Sequence, residues 1–214
     1  MLEDQELAFL GKITAWLTHD LKNVLAIILE NAGLMEDILS FSPKGALPHP
    51  EKFFKPLTVI QDQVRRGAEI STALNRLGKS LTEPPGEVEV NALLKQTAFL
   101  LERPVRLKRG RLEVIPAEKG LAIKAHPLPL YLALGTLMEI LLEDLAPGGT
   151  ITLRPEQNGP DIALQVAAPA ADQTRRAALP PKLAGLKEML GLRLAPLNLP
   201  GQKGFLLTVP RGAG

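Results

Sequence analysis

The sequence predicts an α+β protein, in which an antiparallel helical hairpin forms a dimeric four-helix bundle and an α/β sandwich follows it. Three observations predict this. Of 19 prolines, none falls in residues 1–42 or 57–83, four (Pro43, Pro48, Pro50, Pro56) crowd the gap between, and the rest follow Glu83. Proline lacks an N–H and clashes with the preceding turn, so long proline-free tracts read as helices. Within those tracts the apolar residues recur at alternating spacings of three and four. Beyond Thr82-Glu83-Pro84-Pro85-Gly86, short alternating segments interleave with helical ones, the pattern of a mixed sheet layered with helices.

In the first helix, Leu10, Leu17, Leu21, Val24, Ile28, Met35 and Ile38 form the stripe. Thr14 and Asn31 interrupt it with polar groups, and Leu25, Leu29 and Ala32 widen it beyond a two-stranded seam. The second helix carries Leu57, Ile60, Val64, Ile70, Leu74, Leu77 and Leu81, with Gly67 and Gly78 expected to permit close approach. A two-helix hairpin leaves such stripes partly uncovered, and a homodimer would cover them. The hairpin is expected over 1–81, a linker over 82–87 and the second domain over 88–214.

The second half opens with a helix over 91–102, Asn91 serving as its N-cap. Residues 105–107, 112–115 and 121–124 read as short strands. Residues 128–144 return to helical spacing, and Pro147-Gly148-Gly149 turns into a strand at 150–154. A strand at 162–166, a short helix at 181–190 and a closing hairpin about Gly201 (192–199 with 205–209) complete the chain.

At 214 residues and 45% hydrophobic, the chain can bury a core, and a net charge of +2 gives no basic excess for nucleic acid. The absence of cysteine excludes disulfides, thiolate metal sites and cysteine nucleophiles. His19, His49 and His126 lie far apart, outside any metal-ligand spacing. No apolar run reaches the roughly 20 residues of a membrane helix, and no export signal opens the chain. The expectation is a cytoplasmic protein with neither nucleic-acid nor membrane partners. Arg103, Arg106, Lys108, Arg109 and Arg111 cluster; they suit a solvated strand edge, with docking of an acidic surface as the alternative. Phe9 and Trp16 are expected to pack in the bundle, and His49 and His126 to be structural.

The chemistry concentrates in Thr18-His19-Asp20-Leu21-Lys22-Asn23. With Leu17, Leu21 and Val24 on the buried seam, His19 faces outward, Asp20 is adjacent, and Asn23 lies one turn on along the same side. An exposed imidazole with an acid and an amide at hand suits a nucleophile that accepts and releases a phosphoryl group.

This stretch, from Gly11-Lys12-Ile13 through Val24-Leu25-Ala26-Ile27, resembles the H-box of two-component histidine kinases, with Val24 where the family usually has proline. Ala125-His126-Pro127 stands where the family's ATP-binding domain has Ala-Asp-Pro. Residues 137–145 look like its N-box helix, and Gly148-Gly149-Thr150-Ile151-Thr152-Leu153 like the strand after it. Residues 200–210 are similar to its last hairpin. The N-box asparagine that helps hold Mg²⁺ and phosphate falls at Glu143. The Asp-x-Gly-x-Gly that recognises adenine is replaced by Ala167-Ala168-Pro169-Ala170-Ala171-Asp172, and the glycine lid is reduced to Gly185 and Gly191.

A phosphoacceptor hairpin joined to such a domain resembles the dimeric histidine phosphotransferases of bacterial phosphorelays. The resemblance implies His19 as phosphoacceptor with Asp20 and Asn23 beside it, and a response regulator receiver domain as partner. It implies no cofactor bound by this chain, Mg²⁺ coming from the receiver. The alternatives are a divergent sensor kinase that still binds ATP, and a non-catalytic dimeric adaptor.

Overall fold

A computed structural model describes residues 2–42, 49–169, 183, 191–199 and 201–210. Two long helices come first, α1 (Leu2–Ser40) and α2 (Glu51–Thr82). Contacts divide the chain into two compact units. Gly11–Arg76 forms a helical unit, and Met1–Leu10 joins Leu77–Gly214 in an α/β unit.

In the helical unit α1 and α2 run antiparallel, because Gly67 faces residues that lie equally far on the other side of the connection. A Cβ on Gly67 would meet Val24 Cγ1 at 3.4 Å and Leu21 Cδ1 at 3.8 Å, the close approach expected of this glycine. Gly78, expected to do likewise, has nothing within 4 Å of its Cβ position. Along the α1 stripe Leu17 and Val24 are buried, while Leu10, Leu21, Ile28, Met35 and Ile38 are half-buried. Leu25, Leu29, Leu57 and Val64 are exposed. Pro56 lies inside α2, which starts six residues before the proline-free tract does.

The α/β unit contains β1 (Gly86–Glu89), α3 (Val90–Leu107), β2 (Arg111–Val114), β3 (Ala122–Ala125), α4 (Pro127–Glu143), β4 (Thr150–Asn158), β5 (Asp161–Pro169), β6 (Arg193–Leu199) and β7 (Gln202–Val209). The described strands form a five-stranded sheet in the order β2-β4-β5-β7-β6, and β1 pairs with β3 in a second small sheet. Only β2 and β4 pair in parallel; the remaining ladders are antiparallel. Helices α3 and α4 pack on each other and α4 on β5 and β7. The core is built from Leu94, Leu100, Leu134, Leu137, Met138, Ile151, Leu164, Val166 and Phe205. β4 alternates buried with less buried residues, as burial on one face of a sheet requires, and packs on α3, whereas β5 is buried along most of its length and packs on α4.

Three local expectations are corrected. The α3 N-cap is Glu89 rather than Asn91: its carboxylate accepts from Asn91 N at 2.9 Å and Ala92 N at 2.5 Å. The Asn91 side chain instead binds a distant backbone, its Oδ1 accepting from Ala117 N at 2.9 Å. Residues 105–107 continue α3 past Pro104 rather than forming a strand. Phe9 does not pack in the bundle. It belongs to the α/β unit, where its ring lies against Gly135 of α4. The closing hairpin turns about Gly201, whose φ of 74° is the left-handed conformation glycine supplies. The helix expected over 181–190, with Gly185, and Asp172 lie outside the described residues, Leu183 apart.

Candidate functional site

On α1, Leu17 and Val24 turn inward, so helical periodicity brings His19 to the outside. Its side chain is 53% exposed, whereas that of Asp20, the next residue round the helix, is 12% exposed. Asn23 stands one turn on, and its Nδ2 lies 3.2 Å from His19 Nδ1. The nearest Asp20 oxygen is 3.8 Å from the same nitrogen, beyond hydrogen-bond range. The structure therefore brings all three sequence-selected residues together: Asn23 lies within hydrogen-bond range of Nδ1, and the Asp20 carboxylate stands beyond it. Lys22, a turn from His19 on the other side, is exposed. The arrangement offers solvent a ring held at one nitrogen, which is what a side chain needs to take up a group from a large partner.

The second region of interest is the end of α4, where nucleotide-binding residues would fall. Asp144 is the α4 C-cap, and its carboxylate pairs with Lys203 Nζ on β7. The lysine side chain is buried, so its ammonium is committed to this carboxylate at the negative end of the helix dipole. Glu143 beside it is exposed. The Asp144 charge is offset by Lys203, which leaves the Glu143 carboxylate as the exposed negative group at this helix C-terminus. The Lys203–Asp144 pair is 59 residues apart in sequence and carried no local signal. Among the described residues no group of three or more His, Asp or Glu is placed to hold a metal ion, and no helix is long and apolar enough to cross a membrane. His126 caps α4 through its backbone only, and its Nδ1 is buried without a hydrogen-bond partner.

Neither a family model nor a curated protein matches the chain. Solved structures do. The catalytic domain of the histidine kinase ThkA superposes with a TM-score of 0.50 at 15% identity, over 61% of this chain and 98% of that one. The fold is that of the histidine kinases. The crystal structure of ThkA in complex with the response regulator protein TrrA matches 97% of this chain and 63% of that one, at 18% identity and a TM-score of 0.50. The histidine kinase fold thus extends over both halves of the sequence, with a helical N-terminal region followed by an α/β domain like the kinase ATPase domain. Within it, His19 lies on the first long helix and Asp144 at the end of the second helix of the α/β unit.

Proposed function

We propose that this chain is a histidine phosphotransferase of a two-component phosphorelay, passing a phosphoryl group between receiver-domain aspartates through His19 without using ATP. The observation that carries the reading is the exposed His19 ring, held at Nδ1 by Asn23, on a chain whose α4 terminus presents Glu143 and the Asp144–Lys203 pair where a nucleotide needs donors. The histidine kinase fold and the response regulator bound to ThkA support a receiver domain as partner. In the reaction, the lone pair of Nε2 forms the N–P bond as the P–O bond to the receiver's aspartate breaks, its electron pair leaving with the carboxylate. The Mg²⁺ belongs to the receiver and offsets charge on the transferring group. This chain presents the imidazole and keeps its orientation; the reverse of the same step returns the phosphoryl group to a second receiver.

The same reading makes the protein a cytoplasmic homodimer. Leu25, Leu29, Phe54, Leu57 and Val64 are large apolar residues left exposed on the two helices, and a second copy of the hairpin is the partner that matches them in pattern and length.

The test is incubation with a phosphorylated receiver domain and Mg²⁺, and in parallel with ATP and Mg²⁺. The expected product from the receiver is an acid-labile, base-stable phosphoryl group on the wild type. It is lost in His19→Gln, whose circular dichroism stays unchanged because the ring is outside the core. Labelling from ATP would instead make the chain a kinase, and equal labelling of His19→Gln would remove the phosphotransfer reading in favour of an adaptor.

A further inference from the structure

We propose that the turn joining α3 to β2 is a docking surface for an acidic protein segment that carries an apolar side chain. Arg103, Arg106, Lys108, Arg109 and Arg111 crowd this turn, and all but Arg103 are exposed. Charges that only protect a sheet edge need stand on the strand alone. Of these five only Arg111 does so, since β2 begins there. Leu107, in the middle of the cluster, is 69% exposed. A partner that covers it removes apolar surface from water and leaves the cations as a polar rim.

The backbone of the turn points the same way. Arg109 has a φ of 55°, a positive value that among the described residues it shares only with glycines. Helix α3 closes here by two bonds, Gly110 N donating to Val105 O and Arg109 N to Arg106 O, both at 2.9 Å. The left-handed position of such a closure usually holds glycine. The glycine is instead the next residue, Gly110, where a Cβ would meet Leu145 Cδ2 at 2.6 Å. Arg109 therefore carries backbone strain while its side chain is exposed, so burial does not offset the strain. Its carbonyl accepts from Gly148 N, and Arg111 N donates to Gly149 O, both at 2.9 Å. These bonds fix the turn against Pro147-Gly148-Gly149, which has no charged side chain to neutralise it.

The sign of the surface selects carboxylates, and Glu113, the next exposed residue along β2, bounds it. Single-stranded nucleic acid binds through aromatic stacking as well as charge, and the described residues of the α/β unit leave no aromatic ring exposed. A lipid surface calls for a broad apolar face rather than one leucine. The turn belongs to the α/β unit and His19 to the helical unit, so the inference stands apart from phosphotransfer.

The test is fluorescence anisotropy of a labelled peptide of alternating glutamate and leucine, titrated with the full chain at low salt. Saturable binding with a Kd below about 1 mM is expected, weakening as salt is raised. Each exposed charge should contribute about threefold, so Lys108→Gln, Arg109→Gln and Arg111→Gln combined should lose about thirtyfold. Leu107→Ser should lose about tenfold at any salt concentration. Arg109→Gly separates docking from folding. It should raise Tm by up to about 4 °C as strain is relieved, yet weaken peptide binding about threefold. Absence of saturable binding, a triple variant that binds like the wild type, or a lower Tm in Arg109→Gly overturns the proposal. So does tighter binding of a single-stranded oligonucleotide or of phosphatidylserine vesicles in the same titration.

Discussion

Replacing Gly135 with alanine tests how the first turns of α1 are seated in the α/β unit. Gly135 lies in the middle of α4, where glycine costs about 1 kcal/mol relative to alanine. On propensity alone Gly135→Ala should stabilise. But a Cβ there would lie 2.8 Å from Phe9 Cε2 and 3.6 Å from Cδ2 and Cζ. The ring is buried and cannot retreat into solvent. Overpacking of this kind costs about 1–3 kcal/mol, so the propensity gain is cancelled and the net expectation is a loss of up to about 2 kcal/mol. For a chain of this length each kcal/mol moves Tm by about 2–4 °C. Gly11→Ala is the control, since nothing lies within 4 Å of its Cβ position; it should gain up to about 1 kcal/mol. Phe9→Ala alone should cost about 3–5 kcal/mol. The double variant should cost less than the sum by about 1 kcal/mol or more, because the new methyl enters the vacated space. The assay is thermal and urea unfolding followed by circular dichroism. If Gly135→Ala stabilises as much as Gly11→Ala, or if the two effects add, the ring is not in the notch and the reasoning fails.

Lys203→Met should lower stability by about 2 kcal/mol, less than the 3–5 of a wholly buried pair because Asp144 keeps some contact with solvent. Adding Asp144→Asn should recover part of the loss in the same unfolding assay, and no recovery would mean that the pair does not act as a unit. Leu29→Glu should turn a dimer into a monomer in analytical ultracentrifugation at micromolar concentration without lowering helix content, because Leu29 is 75% exposed within the single chain. A wild type that sediments as a monomer, or a Leu29→Glu variant that remains dimeric, removes the apolar flank as an interface.

What the sequence made legible is what local rules govern. Helical periodicity placed Leu17 and Val24 inside and His19 and Asn23 on one outer side, because residues four apart must stack whatever the rest of the chain does. The Pro-Pro-Gly break after α2 and the glycine turn at Gly201 were equally readable. Pro56 and Pro104 both lie within helices. Residues 105–107 read as a strand from their short apolar alternation, but α3 continues through them. Asn91 is the better cap by propensity, yet its amide is committed to Ala117, 26 residues away, and Glu89 takes over. The inward turn of Asp20, the Lys203–Asp144 pair and the seat of Phe9 all depend on contacts between distant segments, which periodicity cannot supply. Periodicity tells which residues share a face; it does not tell what covers that face.

That distinction bears on how α1 divides its faces. Leu25 and Leu29 are exposed on α1, and both stand roughly 100° round the helix from His19. His19 and Asn23 share their own sector, set apart from that apolar flank and from the buried Leu17–Val24 line. A second copy seated on Leu25 and Leu29 would remove apolar surface from water while leaving the imidazole open to a receiver. Asp20, in the sector between His19 and the buried line, is turned inward without covering the ring. The order of residues along Leu17-Thr18-His19-Asp20-Leu21-Lys22-Asn23-Val24-Leu25 thus separates the buried line, the exposed imidazole and the apolar flank by rotation alone. A one-residue insertion before His19 would turn the ring by about 100° relative to the helix upstream. The same residues would then be present with the imidazole turned from its sector relative to the helix upstream, and labelling of His19 from a phosphorylated receiver is expected to fall.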